Sequence, residues 1–449
     1  MPDLIKVAKF GGTSMADAQA MKRCASIIKN DPDKKVIIVS ATSGTTNLLT
    51  EFITERSVEH RKAITEQIRQ KHLKICEDLD VSADSRKQVV TLIDQLAAIA
   101  SKKQIITPSL TDEILAFGEM LSSRIFADLL NNSDEMPVDW VDARQIIKTD
   151  SMFGSAEPDI EAISRGAEEY LTAKLGERKV VSQGFVGSNE AGQTTTLGRG
   201  GSDYSAALFA EAIDADVLEI WTDVTAVYTT DPRIVATARP ITEISFDEAA
   251  ELSVFGAKVL HPATVVPAIR KNIKVYVGSS IEPNKPGTWI MRDTKSKPVI
   301  RAISLRRNQT LLTLHSLDML HRYGFLAKIF EILSKHKISV DLVTTSEVSV
   351  ALTLDSDISA PGNQKITDRV LEELRQFCEV EISRNLSLIA LVGNNLDATA
   401  GLSGPVFGSL EEINVRLICH GASSHNLCFL VSEKEAENVI KKLHKRFIE

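Results

Sequence analysis

Lys9, Gly11 and Gly12 stand in the stretch KFGGTS, directly after a short apolar run. A second glycine-rich stretch, TTTLGRGGSDYSAALFAEAI (194–213), brings Arg199, Ser202 and Asp203 to the start of a helical pattern. Glycines after a strand let backbone N–H groups approach an anion, and a helix that follows adds its positive end. Lys9 offers a compact, mobile charge, and Arg199 a planar fork that grips a carboxylate or phosphate with two hydrogen bonds. Blander readings compete: a tight strand–helix turn with a solvated lysine for KFGGTS, and a simple N-terminal cap for Asp203. The lysine precedes the glycines, so neither the P-loop pattern nor G-x-G-x-x-G applies. Two cradles in one region are harder to attribute to turns than one.

Three further stretches carry polar groups. WTDVTAVYTTDPR (221–233) leaves a strand with Asp223, Tyr228, Asp231 and Arg233. The carboxyl end of a strand is where open α/β sheets bind ligands, although TDPR alone signals little more than a turn. FGAKVLHP (255–262) sets Lys258 on an apolar stretch, either snorkelling to solvent or meeting a phosphate. In SLTDEILAFGEMLSSRIFADLL (109–130), Glu119 sits beside Gly118 among apolar residues. A buried carboxylate there needs a partner: a substrate ammonium or a neighbouring lysine. HExxH, GxSxG and nucleophilic Cys–His patterns are absent, and His261 before Pro262 reads as structural. Lysines, arginines, glycines and carboxylates without a general base suit phosphoryl transfer, where positioning and charge neutralisation dominate. They suit an acceptor that is already anionic best, because no proton must be removed.

The elements that position these residues read as alternating strands and helices over the first two-thirds of the 449 residues. Strands are expected at 4–10, 36–41, 179–187, 217–224 and 273–279, with a helix-rich region from about 47 to 130. A helix is expected near Ser14, with Asp17 three residues on as a capping-box variant. Near-continuous apolar strands separated by helices indicate a largely parallel sheet covered on both faces. Three prolines and several lysines at 281–298 mark the closing edge of a first domain and a linker. Composition is ordinary for a globular chain, 43% hydrophobic and 25% charged. A net charge of -8 without a polybasic block speaks against nucleic-acid or anionic-membrane partners. Five cysteines without a CxxC pair speak against a disulfide framework or zinc site. No signal peptide or membrane-length apolar run is evident.

The last third repeats itself. Residues 311–354 and 388–431, about 76 residues apart, each run strand, glycine loop, amphipathic helix, ISVDLV or INVRLI, turn and strand. Helices expected at 369–377 and 434–446 complete a β-α-β-β-α pattern. Two copies at this spacing indicate a duplicated small domain.

KFGGTS, GFVGSNEAGQTTTLGRGGSDYSA, WTDVTAVYTTDPR and FGAKVLHP together closely resemble aspartate kinase of the amino acid kinase family, over essentially the whole chain. The tandem repeat resembles its paired ACT regulatory domains, and MLHRYGFLAKIF with ISVDLVTTSEVSVALTL is most similar to the monofunctional, lysine-sensitive type. No dehydrogenase domain follows the second repeat, which is unlike the bifunctional enzymes. The resemblance implies an amino acid kinase fold at 1–297, a mostly parallel sheet sandwiched by helices. Two ferredoxin-like β-α-β-β-α-β ACT domains would follow at 298–449, the first (about 307–384) inserted in the second (about 298–306 plus 385–449).

The implied reaction is MgATP-dependent phosphorylation of the side-chain carboxylate of L-aspartate, opening the route to lysine, threonine and methionine. Lys9 would neutralise the phosphoryl group in flight, Asp203 orient the lysines, and Gly11 and Gly12 support the phosphates. Thr46, Glu119, Arg199 and Ser202 would bind aspartate. Thr222, Asp223, Tyr228, Arg233 and Lys258 would line the ATP pocket, with Mg2+ held mainly by ATP and no direct protein ligand. Regulatory L-lysine would bind the first repeat at Met319, His321, Gly324, Phe325, Leu326, Ser339, Val340, Asp341, Ser346 and Glu347. Asp341 and Glu347 would receive its two amino groups. In the second repeat Arg416 replaces the aspartate, followed by His420, Gly421 and Ala422; a cation there repels a diamine, so that copy is expected to bind no lysine. A cytoplasmic homodimer joined through the ACT domains is implied, with a tetramer as the inhibited form. Two alternatives stand beside this reading: another amino acid kinase family enzyme, and a catalytically inactive amino-acid sensor.

Overall fold

A computed structural model describes residues 4–133, 137–256, 262–320, 323–355 and 366–449. The described residues fall into two compact units. One takes in those of Met1–Val227, Ile241–Phe246 and Val259–Asp293; the other takes in those of Tyr228–Pro240, Asp247–Lys258 and Thr294–Glu449.

The first unit contains β1 (Lys6–Phe10), α1 (Ala18–Lys29), β2 (Lys34–Val39), α2 (Thr45–Thr54), α3 (Val58–Asp78), α4 (Ala83–Ala100), α5 (Pro108–Ser133) and β3 (Val138–Trp140). It continues through α6 (Ala143–Ile146), α7 (Ile160–Ala167), β4 (Lys179–Gln183), β5 (Val186–Ser188), β6 (Thr194–Thr196), α8 (Gly201–Ala212), β7 (Val217–Thr222) and β8 (Glu243–Ser245). Its sheet is an eight-stranded one, and after α9 (Phe246–Val254), which runs into the second unit, it is completed past α10 (Pro262–Lys271) by β9 (Lys274–Ser279) and β10 (Thr288–Met291). The order is β3-β4-β2-β1-β7-β9-β10-β8, parallel throughout except for the antiparallel β9–β10 pair. β2 and β4 are buried at every position, and β7 at all but its last. A strand covered on both faces favours apolar residues on both, so VIIV of β2 and VV of β4 read as runs rather than alternations, while buried Lys34, Lys179, Gln183 and Glu219 interrupt the pattern. Phe10, Met21, Ile37, Val39, Leu49, Phe126 and Trp221 join one core.

Local chemistry sets the helix starts. Asp17 caps α1 by accepting from the Ala20 N–H at 2.8 Å, and Ser57 and Ser82 cap α3 and α4; such a cap contributes about 1 kcal/mol. The helix expected near Ser14 therefore begins four residues later, because Asp17 is the cap. The strand expected over 179–187 breaks into β4 and β5 at Gly184 and Phe185, where Phe185 turns left-handed at φ 67°.

The second unit is built on β11 (Ile300–His315), α11 (Phe325–Lys335), β12 (Val343–Thr345), β13 (Ser349–Asp355), α12 (Asp368–Arg375), β14 (Glu379–Gly393), α13 (Ser403–Gly408), β15 (Leu417–His420), β16 (Asn426–Ser432) and α14 (Ala436–Phe447). These strands make one six-stranded sheet, ordered β12-β13-β11-β14-β16-β15. β11 and β14 pair antiparallel along almost their whole length, with register shifts around Gln309. Leu312, Leu314, Ile329, Val350 and Leu374 form one core at the first repeat. Ile303, Ile389, Phe429, Val439 and Leu443 form another at the second, and Val235 of the 228–240 segment joins it. That segment is tied down further where Thr229 Oγ1 meets His444 Nε2 at 3.0 Å and Arg239 donates to the Ile448 carbonyl. Among the described residues no helix is long and apolar enough to cross a membrane.

Candidate active site

β1 lies between β2, which leads the chain one way across the sheet, and β7, which leads it the other. Such a reversal opens a crevice at the carboxyl ends of the strands. KFGGTS leaves β1 there.

Lys9 faces this end almost fully buried, at 8% exposure, and its Nζ lies 2.5 Å from Asp203 Oδ1. Asp203 is in the first turn of α8, whose cap is Gly200 at φ 71° with no side-chain cap bond. The carboxylate therefore holds the lysine and does not cap the helix. The Gly11 N–H donates to the Trp221 carbonyl at 3.2 Å, so it binds the β1 end to β7 instead of standing open to an anion. A Cβ on Gly11 would lie 3.5 Å from Lys9 Nζ, and one on Gly12 would lie 3.3 Å from the Ala41 carbonyl. The two glycines let the strand ends run close together, and no side chain at Gly11 packs on the ammonium. Ser14 is buried, sharing a 2.7 Å hydrogen bond with Ser280 Oγ beyond β9.

The second cradle arrives with α8. Gly198 and Gly200 take φ of 73° and 71°, which cost side-chain-bearing residues about 1 kcal/mol or more. A Cβ on Gly184 would come within 2.6 Å of Ser202 Cβ, and one on Gly201 within 2.7 Å of the Phe185 ring. Phe185, itself in a strained conformation, and the start of α8 thus fit only as a pair. Arg199 is exposed and Ser202 half-buried on this turn.

Glu119 approaches from α5 at 5% exposure. Its Oε1 accepts the Ala41 N–H at 3.1 Å, and its Oε2 is buried with no hydrogen-bond partner. Burial pushes this carboxyl up to about 7, against the pull of the Ala41 N–H and the Lys9 charge. Gly118 permits the approach, since a Cβ there would lie 2.8 Å from Ala41 Cβ. A cation meeting Oε2 would offset the desolvation that raises the pKa and favour the ionised carboxylate. Thr46 is exposed in the first turn of α2. Thr222 Oγ1 donates to Asp223 Oδ1 at 3.1 Å where β7 ends.

The remaining expected nucleotide residues are described by their own surroundings. Tyr228 and Arg233 fall in the second unit, Tyr228 bridged to Pro240 and Arg233 paired with Asp231 at 2.7 Å. Lys258 and His321 lie outside the described residues.

Sequence reasoning passed over Asp112, which is fully buried. Its Oδ2 accepts the N–H groups of Gly154 and Thr196 at 2.9 and 2.8 Å, pinning the strand that leads into the Arg199 turn. The signal was present: Asp112 lies seven residues before Glu119, two turns back on the same helix face.

In the first repeat, Gly324 takes φ 85° and opens α11, as the glycine turn before a helix requires. Phe325 packs edge-on against Phe377, and Met319 and Val340 lean on the core. Leu326, Ser339, Ser346 and Glu347 are exposed. Asp341 pairs with Arg306 at 3.3 Å, so a diamine must compete with a guanidinium for it. In the second repeat Arg416 donates to Ser383 Oγ at 3.2 Å.

A parallel α/β sheet with two glycine turns, a carboxylate-held lysine and a buried carboxylate at its strand ends defines a phosphate-handling enzyme core. The pattern describing the amino acid kinase family matches residues 5–279, and that of the ACT domain matches 389–447. The chain is 48% identical to the lysine-sensitive aspartokinase 3 of Escherichia coli (strain K12), over 99% of both chains. It is 37% identical to the chloroplastic aspartokinase 3 of Arabidopsis thaliana, over 99% of this chain and 81% of that one. Its structure resembles the crystal structure of E. coli aspartokinase III in complex with aspartate and ADP (R-state), with a TM-score of 0.89 at 48% identity over 99% of this chain and 100% of that one. With the complex of the same enzyme with lysine and aspartate (T-state) the TM-score is 0.86, at the same identity and coverage. The chain belongs to the amino acid kinase family and, within it, to the aspartokinases.

Proposed function

We propose that this chain is a feedback-regulated aspartate kinase that transfers the γ-phosphoryl group of ATP to the side-chain carboxylate of L-aspartate. The observation that carries the reading is a pair of buried opposite charges at neighbouring strand ends: Lys9, held by Asp203, and Glu119, with one oxygen unpartnered.

Glu119 receives the ammonium of aspartate, and Arg199 grips a carboxylate with its planar fork. Thr46 and Ser202 add hydrogen bonds. The side-chain carboxylate oxygen attacks the γ-phosphorus, the bond from phosphorus to the β–γ bridging oxygen breaks, and ADP leaves with that electron pair. The acceptor is already an anion, so no general base is required. Lys9 neutralises charge on the phosphoryl oxygens, and its stabilisation grows as that charge develops. The Lys9 ammonium, held by Asp203 beside Gly11, is assigned to the transferred phosphoryl group. Thr222, Asp223, Tyr228, Arg233 and Lys258 are assigned to the nucleotide, with Gly12 keeping the first turn narrow. Mg2+ held by the ATP phosphates, with no direct protein ligand, would supply further charge neutralisation.

L-Lysine is assigned to the first repeat, its carboxylate at the Gly324 turn and its amino groups at Glu347 and Asp341. The kinase domain is assigned to 1–297 and the regulatory region to 298–449, with the first ACT domain (307–384) inserted in the second. Pairing of β11 with β14 along nearly their full length supports that insertion. The reading includes a cytoplasmic homodimer through the ACT domains, in keeping with five unpaired cysteines.

The test is ADP release by the purified chain with L-aspartate, L-glutamate or N-acetylglutamate as acceptor, then with L-lysine, L-threonine or L-methionine titrated in. Turnover with aspartate alone, suppressed by lysine, is expected. Turnover with glutamate only would overturn the assignment.

A further inference from the structure

The turn between β2 and α2, Ser40 to Thr46, is gripped from two sides. From α5, Ser122 Oγ donates to the Ser40 carbonyl at 2.8 Å and Glu119 accepts the Ala41 N–H. From α3, two consecutive residues reach the turn: Lys71 donates to the Ser43 carbonyl, and His72 meets Thr42. His72, Thr42 and Thr45 are all buried, at 0%, 1% and 0% exposure.

Their hydrogen bonds have only one consistent direction. His72 Nδ1 lies 2.8 Å from the Ile68 carbonyl, which can only accept, so Nδ1 carries the proton. Burial pulls the ring's pKa down to about 4, and the ring is neutral at physiological pH. Its Nε2 is then an acceptor, and the Thr42 hydroxyl 3.2 Å away donates to it. With its proton committed, Thr42 Oγ1 accepts from the Thr45 hydroxyl at 2.5 Å. The Thr45 N–H also donates to the Thr42 carbonyl at 3.0 Å. The chain from the Ile68 carbonyl through His72 and Thr42 thus ends on the first residue of α2, next to Thr46.

We propose that His72 is a positioning residue for the aspartate site. By accepting the Thr42 hydroxyl it fixes the β2–α2 turn, and with it the presentation of Thr46 and of the Ala41 N–H that orients Glu119. The inference rests on the reading that Thr46 and Glu119 bind aspartate.

Steady-state kinetics of the full chain test it with His72→Leu, Thr42→Val, their double variant, His72→Gln and Thr46→Ala. A buried polar group left unpaired costs enough for Thr42→Val and His72→Leu each to raise KM for aspartate about 5- to 20-fold. KM for ATP and kcat stay within about twofold. The double variant is no worse than the worse single one, because the two residues act through one bond. His72→Gln, whose amide oxygen can accept at the same place, stays within about threefold of the parent. Thr42→Val is nearly isosteric and carries the test if His72→Leu fails to fold. An unchanged KM for aspartate in Thr42→Val, or additive effects in the double variant, overturns the proposal. A raised KM in Thr42→Val with a silent Thr46→Ala upholds the clamp and removes Thr46 from the substrate contacts.

Discussion

The charged pair at the heart of the kinase unit and the candidates of the first regulatory repeat are displayed in opposite ways, although Arg199 and Thr46 of the kinase unit are exposed like the latter. Lys9 and Glu119 are buried at strand ends, and Asp203 is locked to Lys9. Ser339, Ser346 and Glu347 face solvent on the repeat, and Asp341 is engaged by Arg306. Two unit charges 4 Å apart interact by about 1 kcal/mol in bulk water but about 4 kcal/mol where the effective dielectric is 20. The kinase residues have already lost much of their water, so each contact to substrate is strong. The repeat's exposed residues each offer little, so lysine recognition proposed there would be shared over many weak contacts. Chemistry demands a site organised before substrate arrives. A feedback site only has to be filled when the effector is plentiful.

Breaking the buried side should therefore have the larger effects. Lys9→Ala is expected to lower kcat by about 10²–10³-fold, the scale for one preorganised transition-state donor. Its effect on KM for aspartate should be far smaller, since that charge matters most at the transition state. Glu119→Gln should raise KM for aspartate by about 10- to 100-fold, the range for a lost charged hydrogen bond. It also carries a pH signature. The Glu119 carboxyl, pushed up to about 7 by burial, must be ionised to receive an ammonium. With the parent enzyme, kcat/KM for aspartate should fall as pH drops through about 7, and Glu119→Gln should lose that limb.

The exposed side should respond less. Glu347→Ala should move the half-inhibitory lysine concentration upward by only about two- to fivefold, as for a solvent-exposed pair. A shift as large as that of Glu119→Gln in KM would mean that this residue is buried when lysine binds. Arg416→Ala, in the repeat expected to bind no lysine, should leave the inhibition curve where it is. Any shift would bring the second repeat into recognition.

Much of the kinase unit was legible because buried parallel strands are largely apolar, as in VIIV of β2 and, apart from Glu219, VLEIW of β7. The two cradles were legible because their glycines leave a compositional mark, left-handed at Gly198 and Gly200 and closely approached by the Ala41 carbonyl at Gly12. The β4–β5 break was not, since Gly184 and Phe185 take their shape from the packing of α8. The start of α1 was misplaced because Ser14 and Asp17 are both cap types, and Ser14 is drawn inward by Ser280. TDPR lies inside the stretch that matches the amino acid kinase family, while Val235 and Thr229 beside it pack with the second unit, a long-range contact with no local signal. His72 left no local signal, for its partner Thr42 lies 30 residues away.

The central claim is that Lys9 and Glu119 organise phosphoryl transfer to the side chain of aspartate. Trapping the acyl phosphate with hydroxylamine tests it directly, in reactions of ATP with L-aspartate or L-glutamate, using the parent and Lys9→Ala. Aspartyl hydroxamate from the parent alone, with none from glutamate, is the predicted result. Hydroxamate from glutamate only, or undiminished aspartyl hydroxamate from Lys9→Ala, would contradict it.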